Sequence, residues 1–344
     1  MPRSFLTLLF LLLSFTTQGA NNNALTGTLL VANRNGGSIS LIDLQTSTEI
    51  TRLPIGSIVP HELAVSPDGR WAVTSEYGTG NNPGRHLVVI DIPVAEIVSR
   101  IDLGPNTRPH SIAFLGDSRH VITTMERSEA ITLVDILDGE IIKTWATGGQ
   151  DSHMVKLAPD DSRAYVAARG SGTLSVIWLN EDRPANVIYT GAGAEGIGVS
   201  PDGSEVWIAN QGDQTVSIVD TETLEITHTL EDIPSNRIEF LPDGWAVVPG
   251  GSSADGSVRY ITFYDGETKE IRRRLELPGS SASGTGVRLL AAHGSLFLAD
   301  SALDEISVLA PFVSTTREQI MMNPDNIDGM AWSPLQARVN AAPE

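Results

Sequence analysis

Three histidines occupy the same place in three successive copies of one short phrase. His61 is second in PHELAVSPDG, His110 is second in PHSIAFLGDS, and His153 is second in SHMVKLAPDD. Imidazole nitrogens are ligands of Zn, Cu, Fe and Mn, and three protein ligands beside an open position are typical of catalytic zinc. The register therefore predicts a site for one divalent transition metal, provided that the three copies converge in the fold.

Four further copies of the phrase carry other residues in second place. The copies follow one another at intervals of about 40–50 residues, and these residues are Glu195, Asn236, Thr285 and Asp328. Glu195 is predicted as a fourth metal ligand or as a base. Two alternatives stay open: the histidines line a wet channel or hydrogen-bond neighbouring loops, and the shared register records duplication of the repeat.

Each phrase opens a unit of four short strands. A strand with alternating apolar residues ends in a Ser-Pro-Asp-Gly turn or a relative of it, and three further strands follow, separated by polar turns. A unit of this length and pattern is typical of one β-propeller blade. The first unit lacks its leading strand, whereas the last fragment, from Ile327, is only a leading strand. Joined together, they complete a blade and leave no unpaired edge at either end.

The sequence thus predicts an all-β fold, a single seven-bladed β-propeller of four-stranded antiparallel blades over residues 25–335, with a C-terminal tail at 336–344. The first strand of each blade lines the central channel. All second-place residues then share one end of that channel, which we call the top face. The Ser-Pro-Asp-Gly turns lie at the bottom face.

Two segments resemble a known repeat. RAYVAARGSGTLSVIWL from Arg163 and EVWIANQGDQTVSIVDTETLEITHTL from Glu205 are similar to the YVTN-type repeat of YncE-like propellers. The resemblance extends over nearly the whole chain after residue 20. It implies an extracytoplasmic propeller that acts as a scaffold or binding protein. Similar blades also build lactonases, lyases and parts of metalloenzymes, so the resemblance names no reaction.

The ends of the second strands add polar residues to the top face. Arg127 and Arg169 stand at equivalent turns, where they clamp a carboxylate or phosphate, or else pair with acids such as Glu126. The insertion from Glu76 to Ile90 is either a binding lid or surface variation. The predicted ligand-binding residues are Glu76, Arg127, Arg169, Asn210, Asn236 and Asp328.

Strand alternation applies to Glu62 as well. Successive side chains of a strand point to opposite faces, so Glu62 is predicted to point away from its neighbour His61 and to pack between blades with a partner.

Composition narrows the class of partner. The 344-residue chain has no cysteine, which excludes thiol nucleophiles and thiolate metal sites, and its net charge of −19 argues against nucleic acid as a partner. Residues 1–20 have the pattern of a secretory signal peptide, with Arg3 before an apolar run, and no later run predicts a membrane span. We therefore expect a periplasmic or secreted protein.

Two functions remain open on these grounds. The first is a binding or scaffold protein that holds a small molecule or an envelope protein at the top face. The second is a metal-dependent lyase, hydrolase or oxidase built on the three histidines. A calcium lactonase is less favoured, since Ca²⁺ takes six to eight oxygen ligands and the second-place residues offer two carboxylates, Glu195 and Asp328.

Overall fold

The computed structural model describes residues 25–56, 59–278, 286–301, 303–309, 317–320 and 325–339. Within these ranges the chain forms seven four-stranded sheets, all with antiparallel pairing. Helical structure in the described ranges is confined to a 3₁₀ turn at Glu126–Ser128. The seven sheets confirm the predicted all-β propeller. The predicted signal peptide at residues 1–20 lies outside the described residues, as do Thr285 and residues 340–344 of the predicted tail.

The strands follow the chain blade by blade. Blade 1 comprises β1 (Thr28–Asn33), β2 (Ser38–Asp43), β3 (Thr48–Pro54) and β28 (Ile327–Ser333). Blades 2 and 3 comprise β4 (Pro60–Val65), β5 (Trp71–Glu76), β6 (His86–Asp91), β7 (Glu96–Asp102), β8 (Pro109–Phe114), β9 (His120–Met125), β10 (Ala130–Asp135) and β11 (Glu140–Ala146). Blades 4 and 5 comprise β12 (Ser152–Leu157), β13 (Arg163–Ala168), β14 (Thr173–Trp178), β15 (Asn186–Tyr189), β16 (Ala194–Val199), β17 (Glu205–Asn210), β18 (Thr215–Asp220) and β19 (Ile226–Leu230). Blades 6 and 7 comprise β20 (Glu239–Phe240), β21 (Trp245–Ser252), β22 (Val258–Asp265), β23 (Ile271–Pro278), β24 (Val287–Ala292), β25 (Ser295–Asp300), β26 (Glu305–Leu309) and β27 (Arg317–Ile320).

Local chemistry fixes the turns at the bottom face. In the turn after β4, Ser66 Oγ donates to Asp68 Oδ1, and the same oxygen accepts the backbone N–H of Arg70. Ser200 and Asp202 repeat the first contact after β16. Gly69 has φ +78°, a conformation that glycine adopts without a Cβ clash. These contacts give the recurring Ser-Pro-Asp-Gly sequence a structural role, which is to close the turn.

The core lies between neighbouring blades. Apolar side chains of the middle strands of one blade pack against those of the next, as where Val73 and Val89 of blade 2 meet Val121 and Val134 of blade 3. Both faces of the middle strands are buried in this way, so those strands carry mainly apolar residues on both faces.

Strands from both ends of the chain close the ring. β1 pairs with β28, from Thr28 opposite Ser333 to Asn33 opposite Ile327. Ser333 Oγ also donates to the carbonyl oxygen of Gly69 in blade 2. The predicted closure of the propeller by its two termini is confirmed.

Candidate functional site

One position of the innermost strand recurs at the same height in the channel. In six blades, the residue just before this position pairs with the last residue of the second strand: Pro60 with Glu76, Pro109 with Met125, Ser152 with Ala168, Ala194 with Asn210, Val287 with Asp300, and Ile327 with Asn33. The residue that follows stands at the top end of the channel. Together with Asn236, which hydrogen-bonds Glu195, these residues form what we call the channel ring: His61, His110, His153, Glu195, Asn236, Arg288 and Asp328.

A β-bulge turns most of these residues toward the axis. In blade 2, Pro60 pairs with Glu76 and Leu63 with Thr74, so two residues of β4 oppose a single residue of β5. The same register shift occurs at the corresponding place in blades 1, 3, 4 and 5. Bulges bend a strand and re-aim its side chains, and they are common beside active sites. The repeated bulge is therefore the backbone feature that brings the ring together.

The bulge also overturns the predicted orientation of Glu62. One ligand atom from each of His61, Glu62 and His110 lies within 4.8 Å of the others. Alternation fails here because two consecutive residues occupy one place in the ladder. Glu62 does have a partner, Arg237, whose guanidinium donates to Oε1 at 2.9 Å across the channel.

The residue that blade 7 contributes to the ring is not the one that the sequence alignment assigns. The alignment assigns Thr285 to this register, but the pairing of Val287 with Asp300 assigns it to Arg288. Pairing along β24 runs without a shift from Val287 to Ala292, and a two-residue turn replaces the Ser-Pro-Asp-Gly turn. The shorter turn and the missing bulge move the register by three residues.

Contacts run around one side of the ring through the histidines. His61 Nδ1 is hydrogen-bonded to Asp328 Oδ2. The His61 and His110 rings meet edge to face with centroids 4.3 Å apart, and the His110 and His153 centroids are 3.8 Å apart. His153 Nε2 lies 3.9 Å from Glu195 Oε1. The predicted metal residues His61, His110, His153 and Glu195 are thus consecutive neighbours in the ring.

The other side of the ring is held by amide and guanidinium groups. Asn236 Nδ2 donates to Glu195 Oε1 at 3.1 Å, and Arg237 NH1 lies 3.9 Å from the same oxygen. Arg288 donates to Asp328 Oδ1 from Nε at 3.0 Å and from NH2 at 2.8 Å. The carboxylates are therefore bound by cations on one side and approached by imidazoles on the other.

Burial sets the protonation of the ring. His110 is fully buried, and burial first, then the neighbouring His153, His61, Arg237 and Arg288, lowers its pKa well below 6.5. Burial also lowers the pKa of His153. Both imidazoles are therefore neutral near neutral pH, which is the form that binds a metal.

Asp328 shows the opposite outcome. Burial alone raises the pKa of this carboxyl, but His61, Arg288 and Arg34 together outweigh burial and hold the pKa well below 3.8. Asp328 is therefore a carboxylate, and it accepts the Nδ1–H of His61. That contact places a proton on Nδ1 of His61 and orients its ring.

Three ring nitrogens of the buried histidines have no hydrogen-bond partner within the described part of the chain. They are Nδ1 and Nε2 of His110 and Nδ1 of His153. A buried polar atom without a partner costs about 1–3 kcal/mol. These nitrogens are the clearest sign that the ring is built for more than packing.

Tyr77 covers the histidines from the loop after β5. Its ring centroid is 4.7 Å from that of His61 and 5.1 Å from that of His110. The Tyr77 hydroxyl donates to Glu126 Oε2 at 2.7 Å, and the Arg108 guanidinium stacks 4.3 Å above the Tyr77 ring. Nothing in the repeat marks Tyr77, because it belongs to the insertion that follows β5.

The structure places Glu76 and Asn210, two of the predicted ligand-binding residues, inside hydrogen-bond networks of the blades. Glu76 is buried and is bonded to His86 and Arg100. The Asn210 amide donates to the Thr190 carbonyl oxygen at 3.0 Å and to Ser217 Oγ at 3.0 Å. These contacts give both residues a role in holding strands together.

Arg127 and Arg169 lie outside the ring. Arg127 is exposed, and its NH2 donates to the carbonyl oxygen of Gly80 at 2.7 Å, which ties down the insertion. Arg169 is exposed on the top face, near enough for its charge to lower the pKa of His153 after burial, Arg237 and His61. The cations within the site are instead Arg237 and Arg288.

A cavity of about 440 Å³ occupies the channel beneath the ring. All seven innermost strands contribute to its wall. Below the ring it is lined by Glu62, Ser111, Met154, Arg237, Arg288 and Gly329. Sequence reasoning missed this group of residues below the ring. Glu62 and Arg237 nevertheless stand in third place of their phrases, where the other copies have small or apolar residues.

The close approach of neighbouring bulged strands explains why glycine occupies some positions just below the ring. A Cβ on Gly329 stands 2.5 Å from the His61 carbonyl oxygen, and one on Gly196 stands 2.6 Å from the Asn236 carbonyl carbon. Neighbouring innermost strands contact one another through backbone here, which leaves no room for a side chain.

Comparison with protein families gave one match. The family model described as "YNCE-like beta-propeller" matches residues 26–244. A comparison with curated proteins gave no match. Among the residues that the structure describes, no helix is long and apolar enough to cross a membrane.

Two solved structures show the same fold at low identity. A functionally unknown protein from Desulfotomaculum acetoxidans has 13% identity and a TM-score of 0.71, over 90% of this chain and 100% of that chain. Hydrazine synthase from Kuenenia stuttgartiensis has 18% identity and a TM-score of 0.62, over 73% of this chain and 76% of that chain. At these identities the similarity concerns the fold alone.

Proposed function

The chain belongs to the YNCE-like beta-propeller family, and we propose that it is an exported binding protein that holds one divalent transition-metal ion at the channel ring. The observation that carries the proposal is His110. Its imidazole is fully buried between two other imidazoles, and neither of its nitrogens has a hydrogen-bond partner within the described residues. Folding has already removed water from the His110 imidazole. A bound ion gives it a partner without any further desolvation of that ring.

The ligand set that the distances favour is His61, Glu62 and His110. One ligand atom from each lies within 4.8 Å of the others. Ligands about 2 Å from a common ion are at most about 4 Å apart, so these side chains close in slightly on the ion when it binds. Two imidazoles and a carboxylate suit Zn, Fe and Mn. His153 and Glu195 continue the ring next to His110, and in this proposal they flank the ion.

Partners behind the ligands support the same choice. Asp328 accepts the Nδ1–H of His61, and Arg237 donates to one oxygen of Glu62, which leaves the other for an ion. Metal-bound histidines and carboxylates are regularly oriented by such contacts. The buried His110 is neutral, so an ion displaces no proton from it.

Metal titration tests the proposal. Protein produced without a histidine tag and stripped with a chelator is titrated with Co²⁺, followed by visible absorbance, and with Zn²⁺, followed by calorimetry. We expect one equivalent to bind. His110→Ala should weaken metal binding more than about 100-fold. Mutation of residues that only hydrogen-bond to metal ligands already lowers metal affinity about 10–100-fold.

Two further variants make the result specific. Glu62→Gln should weaken metal binding while retaining the volume of the side chain. His228→Ala removes an exposed imidazole on β19 and should leave the affinity unchanged. No binding at micromolar metal, or equal affinities for His110→Ala and His228→Ala, contradicts the proposal. Thermal unfolding of each variant shows whether it is folded.

A metal-dependent enzyme is the second candidate function. Three protein ligands leave a coordination position for water or substrate, and the cavity of about 440 Å³ lies directly beneath the ring. A lyase, hydrolase or oxidase fits this arrangement, and the bound molecule is then its substrate. The binding role does not depend on which of these holds.

Export is supported by two observations. YNCE-like propellers are generally extracytoplasmic, and the first 20 residues have the pattern of a signal peptide. Fractionation of cells that express the full-length protein tests this part, with the periplasmic or extracellular fraction as the expected location and the cytoplasm as the contradicting one.

A further inference from the structure

We propose that the bottom face binds an extended segment of a partner protein, which places an apolar side chain in the lower end of the channel and a lysine or arginine in an acidic pocket beside it. The inference is drawn from the continuity of three cavities, the apolar and aromatic residues of their walls, and the excess of carboxylates around one of them. It concerns a surface away from the channel ring and does not depend on the proposed metal site.

Three adjoining cavities connect the channel with the bottom face. The channel cavity, of about 440 Å³, reaches Lys156 and Glu239 near its lower end, and these two residues also line a second cavity of about 220 Å³. The second cavity shares Ser200, Pro201 and Phe240 with a third, of about 610 Å³, which lies between the turns of blades 5 and 6. The three cavities therefore follow one another along one path, which we call the bottom groove.

The walls of the bottom groove are apolar at one end and aromatic at the other. Ile112, Ile197 and Leu290 line the channel cavity, whereas Phe240 and Trp245 line the third cavity and are partly exposed. Apolar walls bind apolar side chains because both are removed from water. Aromatic rings add flat contact area and attract cations to their faces. The groove therefore suits an occupant that is apolar at one end and cationic at the other.

Carboxylates outnumber cations around the third cavity. Of the described residues in its wall, Lys269 alone is a cation, and it pairs with Glu205 at 2.7 Å. Arg272, outside the wall, pairs with Asp265 at 2.5 Å. The three remaining carboxylates of the wall are exposed and make no ion pair within the described part of the chain. These three are Asp202, Asp243 and Glu267. Exposed carboxylates of this kind attract a cationic partner and fix its orientation.

A peptide segment fits the bottom groove better than a small molecule or a nucleic acid does. The second cavity is the smallest of the three, and Gly198 contributes no side chain to its wall. An extended backbone is slender between its side chains, so it passes this constriction while its side chains fill the larger cavities on either side. A small amine fills the third cavity alone. A nucleic acid is repelled by the carboxylates and by the net charge of −19.

Selection from a phage-displayed library of random heptapeptides tests the inference. The purified, biotinylated protein is the target, and the affinities of enriched peptides are measured by fluorescence polarisation with labelled synthetic copies. We expect the enriched peptides to carry a large apolar residue and, apart from it, a lysine or arginine. Replacement of that basic residue by glutamine should weaken binding about 5-fold, the upper range for loss of a solvent-exposed charge interaction.

A double variant removes two unpaired carboxylates from the groove, by Asp243→Asn together with Glu267→Gln. We expect it to bind the enriched peptides about 5-fold more weakly than the wild type at low salt. The glutamine peptide should lose less affinity in this variant than in the wild type, because both changes remove the same interaction. All of these side chains are exposed, so the variant should fold normally.

Glu222→Gln is the matched control. The backbone N–H of Glu222 donates to Asp220 in the turn between β18 and β19, as that of Glu267 donates to Asp265 in the turn between β22 and β23. Glu222 is likewise exposed, but it does not line the bottom groove. Its replacement should leave peptide affinity within about 2-fold of the wild type, since distant sites act independently.

The outcomes decide the inference one way or the other. Enrichment of peptides that combine a basic and an apolar residue, with binding that falls in the double variant and not in Glu222→Gln, supports it. No enriched peptide, enriched peptides without a basic residue, or equal losses in the two variants overturns it. Hexylamine that binds in calorimetry as tightly as the peptides also overturns it and assigns the third cavity to a small amine. All measurements are made without added metal, so failure of the proposed metal site leaves this test intact.

Discussion

Replacement of Asp328 by Asn tests whether the ring stabilises the closed propeller. Asp328 lies on β28, the strand that closes the ring, and it binds His61 of blade 2 and Arg288 of blade 7. Asn keeps the shape of the side chain and removes its charge. Removal of one partner from a buried ion pair costs about 3–5 kcal/mol.

That free energy converts into a measurable shift in melting temperature. Unfolding entropy scales with chain length, so for about 300 residues each 1 kcal/mol corresponds to about 1.6 °C. We therefore expect Asp328→Asn to melt about 5–8 °C below the wild type near neutral pH. Arg34 adds little, because more than a third of its side chain is exposed.

Circular dichroism of chelator-treated protein measures the shift without a metal contribution. Asp102→Asn is the control: its ion pair with Arg85, at 2.8 Å, is exposed on both sides. Such a pair contributes at most about 1 kcal/mol, so this variant should melt within about 2 °C of the wild type. An equally small shift for Asp328→Asn would mean that Asp328 does not stabilise the closed propeller.

The pH dependence of the difference has a defined sign. The pKa of Asp328 is lowered in the folded protein relative to 3.8, so the folded state holds the proton less tightly than the unfolded chain. The contribution of Asp328 is therefore present above about pH 4 and is lost as the pH falls through and below that value. The gap between wild type and variant should narrow in the same window.

Three further outcomes are expected. Folding keeps His110 and His153 neutral, so the chelator-treated protein should lose stability as the pH falls below about 6.5, and a double Gln variant should flatten that slope in urea titrations. Gly329→Ala should lower the free energy of unfolding in urea titrations by more than about 2 kcal/mol, because its Cβ meets backbone atoms. Gly80→Ala, with open space around it, should leave that free energy unchanged. Tyr77→Phe removes a buried hydrogen bond and should cost about 1–3 kcal/mol in the same assay. A flat pH profile, an unaffected Gly329→Ala, or an unaffected Tyr77→Phe contradicts the corresponding argument.

The fold was predictable because its signals are local and repeated. Each blade restates the same alternation and the same turn, so seven weak signals support one another, and the unpaired fragments at the two ends imply closure. The neighbourhood of His61, His110 and His153 followed from their register alone. Geometry of the propeller then brings residues that are distant in sequence to one axis.

The rest of the site depended on departures from the repeat. Glu62 joins the histidines because a bulge breaks the alternation of side chains, and sequence periodicity assumes no bulge. Arg288 takes the place assigned to Thr285 because blade 7 lacks the bulge and has a shorter turn. Arg237 was visible only as a charged residue in third place. Tyr77 belongs to an insertion that has no counterpart in other blades.

Anomalous diffraction from crystals of the metal-loaded protein tests whether an ion binds at the channel ring. Data collected on either side of the absorption edge of the bound element locate the ion without assumptions about its ligands. We expect a single peak at bonding distance, about 2 Å, from nitrogens of His61 and His110 and an oxygen of Glu62. A fully loaded crystal with no peak at the channel ring, or with its peak elsewhere on the propeller, contradicts this expectation.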